Sequence, residues 1–361
     1  MKILMLTNAA NGVSAQLLKK QAEKRGHEVE TYDPTDLVAF ISSTVSGHDQ
    51  MYVKDTHSEI QRLYSKQFDV VLARFSGRDV FQYGLAMLQH FNGNLKVPVS
   101  SDPLALSIAA NKFTSHQCFS LAKVRTIPTL FVNKPVDFAF IVKKLGLPLV
   151  CKTPLGSQGS GVFILSDELS ISTTLSAFSR TNKNLLLQKF IDSGKPSSDL
   201  RIFIVDGEIA ASYRRWALDS DFRSNYSLSH SGEKVKLTTE EEEMALAAAY
   251  SVGLPGICGV DIVRDSADNN KPYIIEANGN PSLEGVTKVT GVNIAEKIII
   301  YLERIARKSS SKTKDSEEAD NQLKSFVMNH QIQPGTLEYI NQLARKGDLN
   351  GAISELRKTM P

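Results

Sequence analysis

Two acids stand where apolar strands would normally exclude them: Asp261 in GVDIV (259–263) and Glu276 in YIIEAN (273–278). A carboxylate in such a run is costly unless it is paired or bound to metal. The polar run from Asp265 to Lys271 predicts a turn. A hairpin centred between Asp268 and Asn269 sets Asp261 opposite Glu276, with Cβ atoms about 4.5–5.5 Å apart. Asn278 lies two residues further along the strand and shares the face of Glu276. Two carboxylates and an amide suit Mg²⁺ or Mn²⁺ bridging the phosphates of a nucleotide. The competing reading is that both acids form structural ion pairs with Arg or Lys.

A second candidate is the run Gly156-Ser157-Gln158-Gly159-Ser160-Gly161, set between apolar segments at 149–152 and 162–165. Strand, loop, strand is the wrong context for a Walker A loop or a dinucleotide fingerprint, both of which feed a helix. Glycines let the backbone approach closely, so the loop can lie over a triphosphate and present N–H groups. A plain glycine-rich hairpin turn is the alternative. Lys152, on the preceding strand, adds a compact charge able to meet a phosphate.

The elements needed to position these groups can be read from periodicity. Residues 2–7 predict a buried strand, followed by a helix through Leu17, Leu18 and Ala22 that stops near Gly26. Strands at 29–32 and 69–74, with helices between and after them, complete a small α/β layer over residues 1–98. Residues 99–184 follow with helices at 112–122 and 135–145 and strands at 129–132 and 149–152. Residues 185–308 turn strand-rich: LLLQKF, then LRIFIV and EIAASYRR joined by Asp206-Gly207, which is a hairpin signal. A helix at 239–252 and the acid-bearing hairpin finish this part. Residues 309–361 begin with SSSKTKDSEE, which reads as a solvated linker, and continue with apolar residues at helical spacing. A small helical hairpin serving recognition or assembly is expected there, with a frayed terminal extension as the alternative.

Composition narrows the class. A chain of 361 residues with 42% hydrophobic content supports two or three packed domains. Lys and Arg number 42 against 39 Asp and Glu, so a net charge of +3 gives no reason to expect nucleic acid as the main partner. Cys118, Cys151 and Cys258 are widely spaced, which fits a reducing compartment and not a disulfide framework. The first residues lack a signal-peptide pattern, and no run is long enough to span a bilayer. A cytoplasmic protein with no membrane association is expected.

Lys152 with GSQGSGV, QKFI (188–191), DLR (199–201), Arg214-Arg215, DFRSN (221–225), GVDI and EANGNPSLEG (276–285) follow one another in an order that resembles RimK-type ATP-grasp glutamate ligases. RFSGRDVFQYG (74–84) and the AANK ending at Lys112 extend the resemblance over most of residues 1–307. It implies an ATP-grasp fold of α/β and α+β parts with an N-terminal preATP-grasp domain, to which this chain adds the helical tail. It implies ATP and Mg²⁺ (or Mn²⁺) as cofactors. Lys112 and Lys152 would contact the phosphates, Gln188, Lys189, Phe190 and Ile191 would form the hinge beside adenine, and Asp261, Glu276 and Asn278 would hold metal. Arg201, Arg215, Arg223 and Asn225 would line the phosphate and acceptor side. The chain departs from the family at Lys189-Phe190, where an acid and an aromatic are usual, and at Asn280-Pro281-Ser282, where Ser-Pro-Gly is usual.

The implied activity is ligation of glutamate, or a similar amino acid, to a protein or peptide carboxylate through an acyl phosphate, by a homo-oligomer. The acceptor of RimK-like proteins is a ribosomal protein. A small-molecule or carrier-protein acceptor, or a non-catalytic nucleotide-binding scaffold, are the alternatives.

Overall fold

The computed structural model describes residues 1–42, 50–54, 59–156, 161–181, 183–217 and 231–309. The chain divides into two units, 1–305 and 306–361. Of the second, only 306–309 are described, and they are helical. The expected helical tail lies outside the described residues.

The N-terminal layer is a parallel sheet in the order β2-β1-β6, built from β1 (Lys2–Leu6), β2 (Glu28–Tyr32) and β6 (Val70–Ala73). KILML and VVLA are nearly continuous apolar runs because a parallel sheet is covered on both faces; Leu4, Leu6, Val70 and Val71 have no exposure. The crossover helix Val13–Lys24 buries Ala15, Leu18 and Ala22, at helical spacing.

Between β2 and β6 the structure differs from the expected helix. It forms an antiparallel sheet of β3 (Leu37–Phe40), β4 (Gln50–Lys54) and β5 (Ile60–Leu63). Burial along β4 alternates, with Met51 and Val53 inside and Tyr52 and Lys54 less so. That period of two, carried by β-branched and aromatic residues, favours strand.

The next sheet has the order β7-β10-β8-β9, all antiparallel, from β7 (Thr129–Val132), β8 (Leu149–Lys152), β9 (Val162–Leu165) and β10 (Leu185–Lys189). Helices Phe138–Leu145 and Glu168–Ser179 cover it, and Ile141, Leu145, Ile171 and Leu175 share a core with Leu149, Cys151, Leu185 and Leu187. Truncating any of these leucines or isoleucines to Ala would cost about 2–5 kcal/mol.

The largest sheet is antiparallel with order β13-β12-β11-β14-β15: β11 (Ser198–Val205), β12 (Glu208–Trp216), β13 (Gly232–Lys234), β14 (Ile257–Asp265) and β15 (Lys271–Asn278). Asp206 and Gly207 turn β11 into β12 with φ of 59° and 80°, the paired positive values of a type I′ hairpin. One face, carrying Leu200, Ile202, Ile204, Cys258, Val260, Ile262, Ile274 and Ala277, joins the main core with helix Thr239–Ser251. That helix starts from a Thr238/Glu241 capping box.

Candidate functional site

The other face of the largest sheet carries the charges. Arg201 on β11 pairs across the sheet with Asp261 on β14, and Asp199 pairs with Arg215 on β12. The Arg201 guanidinium makes a two-pronged contact to Asp261, with Nη2 to Oδ2 at 2.7 Å. Arg215 grips Asp199 through Nε (2.7 Å) and Nη2 (2.6 Å), and Nη2 also reaches Asp261 Oδ2 at 2.8 Å. All four side chains are buried. Burial alone would raise the Asp261 carboxyl, but the guanidiniums of Arg201 and Arg215 outweigh it and hold it below the usual carboxylate range. Burial likewise opposes the charge of Arg215, and Asp199 and Asp261 more than compensate.

Asp261 faces Glu276, and Gly259 faces Asn278. The hairpin that achieves this is not the regular one expected. Asp265 pairs with Lys271, which centres the turn on Asp268. The register then shifts between Asp261 and Ile262, leaving Ile275 as an extra residue. Without this bulge Ile274 and Glu276 would share a face; with it, Ile274 and Ala277 enter the core while Glu276 and Asn278 stand beside Asp261.

Gly259 is required by close approach. A Cβ there would lie 2.8 Å from Pro281 Cβ and 3.3 Å from Arg201 Nη1.

The donors suit a hard divalent ion: two carboxylates and an amide, all oxygen. Both Asp261 oxygens are engaged by guanidinium groups, which is the ion-pair alternative that the sequence left open, so an ion must share or displace those contacts. Glu276 lies 4.0 Å from Arg201 Nη2 and keeps 28% side-chain exposure, leaving its carboxylate within reach of a ligand. Asn278 Oδ1 accepts the Asn280 N–H at 2.8 Å. Among the described residues no group of three or more His, Cys, Asp or Glu forms a metal cluster.

Lysines approach from the four-stranded sheet. Lys152 ends β8 and is buried; burial first, then the neighbouring charge of Lys112, pushes its pKa down to about 8 against the opposing pull of Glu276. Lys112 opens helix Lys112–Leu121, whose N-cap Asn111 accepts from the N–H groups of Phe113 and Thr114. Its Nζ donates to the Gly156 carbonyl at 2.6 Å, which ties the helix to the mouth of the glycine loop. The loop spans the β8–β9 hairpin, with Lys152 opposite Val162 and Gly161 at φ 71°. Ser157, Gln158, Gly159 and Ser160 lie outside the described residues, as do Arg223 and Asn225.

In the expected hinge, Gln188 is buried and donates to Thr129 Oγ1 at 2.7 Å, while Lys189 is exposed. Phe190 is half-buried, and Ile191 packs with Ile127 and Val263. Ile191 thus contributes packing through its side chain.

Two residues without a role in the sequence reading belong to this region. Asp199, seen only as part of DLR, is the counter-ion of Arg215; its signal was the i, i+2 spacing to Arg201 on one strand face. His116 lies one helical turn after Lys112. Its Nε2 is 3.1 Å from the Ile275 carbonyl and 3.3 Å from Gln188 Nε2, and its Nδ1 meets Thr126 Oγ1. Burial and the charge of Lys152 push it down to about 3, so it is neutral and links the hinge strand to the bulge beside Glu276.

Buried lysine charge set against acids and arginines on a facing sheet is the signature of a phosphate-handling enzyme. Residues 109–302 match the RimK-like ATP-grasp domain, and residues 1–106 match the RimK PreATP-grasp domain. The chain is 34% identical to a probable alpha-L-glutamate ligase of Thioalkalivibrio sulfidiphilus over 316 residues, covering 87% of this chain and 99% of the relative. It is 33% identical to probable alpha-L-glutamate ligase 1 of Shewanella frigidimarina, with the same coverage. The fold resembles that of the ATP-grasp ligase PsnB complexed with minimal precursor, Mg and ADP (TM-score 0.61, 15% identity, 85% of this chain and 98% of that one). It also resembles D-alanine–D-alanine ligase from Bacillus anthracis (TM-score 0.58, 17% identity, 86% and 99%). The chain belongs to the RimK-like ATP-grasp family and is an ATP-dependent ligase. Among the described residues no helix is long and apolar enough to cross a membrane.

Proposed function

We propose that this chain uses ATP and Mg²⁺ to join glutamate to a carboxylate on a protein or peptide. The observation that carries the reading is the convergence of Asp261, Glu276 and Asn278 with Arg201, Arg215 and Lys152 on one sheet face and the strand facing it. The curated relatives named as glutamate ligases support the amino acid. The fold neighbours PsnB and MdnC, complexed with precursor peptides, support a peptide acceptor.

A carboxylate is a poor electrophile, so the acceptor must first be activated. Its oxygen attacks the γ-phosphorus, ADP leaves, and an acyl phosphate forms. The glutamate amine then attacks the acyl carbon, the C–O bond to phosphate breaks, and the amine proton passes to solvent. Lys112, Lys152, Arg201 and Arg215 stabilise negative charge on the transferring phosphoryl group, the interaction that dominates such catalysis. Because Asp199 and Asp261 fix both guanidiniums in place, little reorganisation accompanies charge transfer. Asp261, Glu276 and Asn278 would hold Mg²⁺, which neutralises phosphate charge when bound. The glycine loop, Gln188 and the adjoining hinge, Arg223 and Asn225 complete the nucleotide and acceptor sides. We assign residues 1–98, 99–184 and 185–308 as the three parts that enclose it.

An acceptor peptide carrying ¹⁸O in its carboxylate tests the route. Glutamate-dependent formation of ADP and of phosphate containing one ¹⁸O is the expected result. Production of AMP and pyrophosphate, or phosphate free of label, would overturn the acyl-phosphate step.

A further inference from the structure

The parallel sheet of the N-terminal layer ends in a buried cation that the chemistry above leaves unused. Arg74 follows β6 and is 7% exposed. Its Nη2 donates to the Pro281 carbonyl at 2.8 Å, while Nη1 is buried with no hydrogen-bond partner among the described residues. Burial, with no neighbouring carboxylate among the described residues to oppose it, pushes the guanidinium down to about 10. A buried charge without a counter-ion is strongly unfavourable, so this position calls for an anion.

The segment against Arg74 has a complementary deficit. Asn280 Nδ2 donates to the Phe75 carbonyl at 3.1 Å, and its Oδ1 is buried without a partner among the described residues. Residues 74–75 and 280–281 are thus tied by two hydrogen bonds, and each side keeps one polar atom unsatisfied: a charged donor on Arg74, a neutral acceptor on Asn280.

Two helices begin beside this contact. Helix Val13–Lys24 follows β1 from Gly12, and helix Arg78–Gln89 follows β6 from Gly77; neither has a side-chain cap. The other described α-helices are capped by Asp, Asn, Thr or Ser side chains. Their first N–H groups therefore add positive potential without a side-chain acceptor. Ser14 Oγ accepts the Leu283 N–H at 2.9 Å, and Asn8 bonds Ser76, so both helix starts, Arg74 and residues 280–283 form one cluster. Pro281 connects it to the catalytic face by packing on Gly259 next to Arg201.

An α-amino acid carries an anionic acceptor and a nitrogen donor on one carbon, which matches a donor and an acceptor on two tied segments. We propose that Arg74 and Asn280 form the subsite for the incoming amino acid, its α-carboxylate pairing with the guanidinium and its amine donating to Asn280 Oδ1. This rests on the ligase reading. The Asn280 carbonyl accepts from the nitrogen and orients it. Nη1 is closed off from solvent, so the ligand must displace side chains packed around it, and neutralising a buried cation compensates that displacement.

Calorimetric titration of the full chain, preloaded with ADP and Mg²⁺, compares three probes: L-glutamate, γ-aminobutyrate lacking the α-carboxylate, and glutarate lacking the amine. Glutamate is expected to bind roughly 10- to 100-fold more tightly than either, the scale of losing one hydrogen bond to a charged group. Arg74→Gln is expected to weaken glutamate about 100-fold and Asn280→Ala about 10-fold, with ADP affinity unchanged. Equal binding of glutamate and γ-aminobutyrate by the unmodified chain would overturn the proposal, as would unchanged glutamate affinity in Arg74→Gln. The three-probe comparison decides the matter if Arg74→Gln does not fold. Failure of the ligase reading has a different signature: glutamate binds and depends on Arg74, yet no acceptor gives glutamate-dependent ADP.

Discussion

Among the described residues, two clusters in which more than one side chain meets an arginine-held carboxylate make an instructive pair, because they share that contact and differ in their surroundings. Near the chain start, Arg25 meets Glu303 through Nε at 2.8 Å and Nη2 at 3.1 Å, with His27 Nε2 at 2.7 Å from the same acid. The Arg25 side chain is 31% exposed, and the cluster is complete in itself. In the largest sheet, Asp199, Arg215, Asp261 and Arg201 make comparable contacts but are buried, and they adjoin Glu276 and Lys152, whose charges are not spent within the four. A two-pronged ion pair therefore says little about function. Burial beside surplus charge says more, because such charge is retained only at a cost that a ligand can offset.

The contrast can be broken most severely at Glu276. Glu276→Gln is expected to reduce glutamate-dependent ADP formation by about 100- to 1,000-fold, the range for removing one electrostatic stabiliser, with the melting temperature nearly unchanged. Retained turnover in that variant would remove Glu276 from the site.

Next in size is a stability effect. Arg215→Met leaves Asp199 buried without its guanidinium and takes from Asp261 Oδ2 one of its two guanidinium contacts, a loss of about 3–5 kcal/mol in denaturant unfolding. A loss below 1 kcal/mol would mean that the buried cluster behaves like the partly exposed one.

A third test uses pH. Lys152, with its pKa pushed down to about 8, loses its proton in the folded chain well before an exposed lysine does. Nucleotide affinity should then fall about tenfold between pH 7 and 9 as the cation is titrated. Lys152→Arg should flatten that profile, and a flat profile in the unmodified chain would place Lys152 away from the phosphates.

The smallest effect belongs to the chain-start cluster. Hydrogen bonding from Arg25, then from His27, outweighs burial and holds Glu303 at about 2, below its ordinary 4.5. A depressed carboxylate stabilises the fold above its unfolded pKa, and that contribution is lost as pH falls from 4.5 towards 2. Glu303→Gln should cost about 1 kcal/mol or less at pH 7, and the gap from the unmodified chain should close over that acid window. A gap independent of pH would exclude the carboxylate as its source.

Local pattern was enough for the strands of both antiparallel sheets flanking the site other than β13, for the Asp206-Gly207 turn and for the order of the acids, because a period of two and a turn with φ above zero are written in neighbouring residues. The sequence also placed Lys152 before a strand-loop-strand glycine run. Register was legible only in part: the expected pairing of Asp261 with Glu276 holds, but through a bulge and not through the regular hairpin expected. Counting back from Asp206-Gly207 pairs Asp199 with Arg214, yet a shift between Phe203 and Ile204 brings Arg215 opposite it. Counting back from the Asp265–Lys271 pair would set Asp261 opposite Ile275, and the second shift delivers Glu276. Each extra residue is accommodated by what packs on the two faces of a five-stranded sheet, information that no turn or spacing carries. The same holds for the stretch between β2 and β6, where helix was expected and β3, β4 and β5 form a sheet, and for Arg74, whose burial without a counter-ion among the described residues depends on segments more than 200 residues apart in the chain. The sequence determined which residue types were available for chemistry; tertiary packing decided which of them meet, because a bulge and an unpaired charge are properties of surroundings and not of neighbours in the chain.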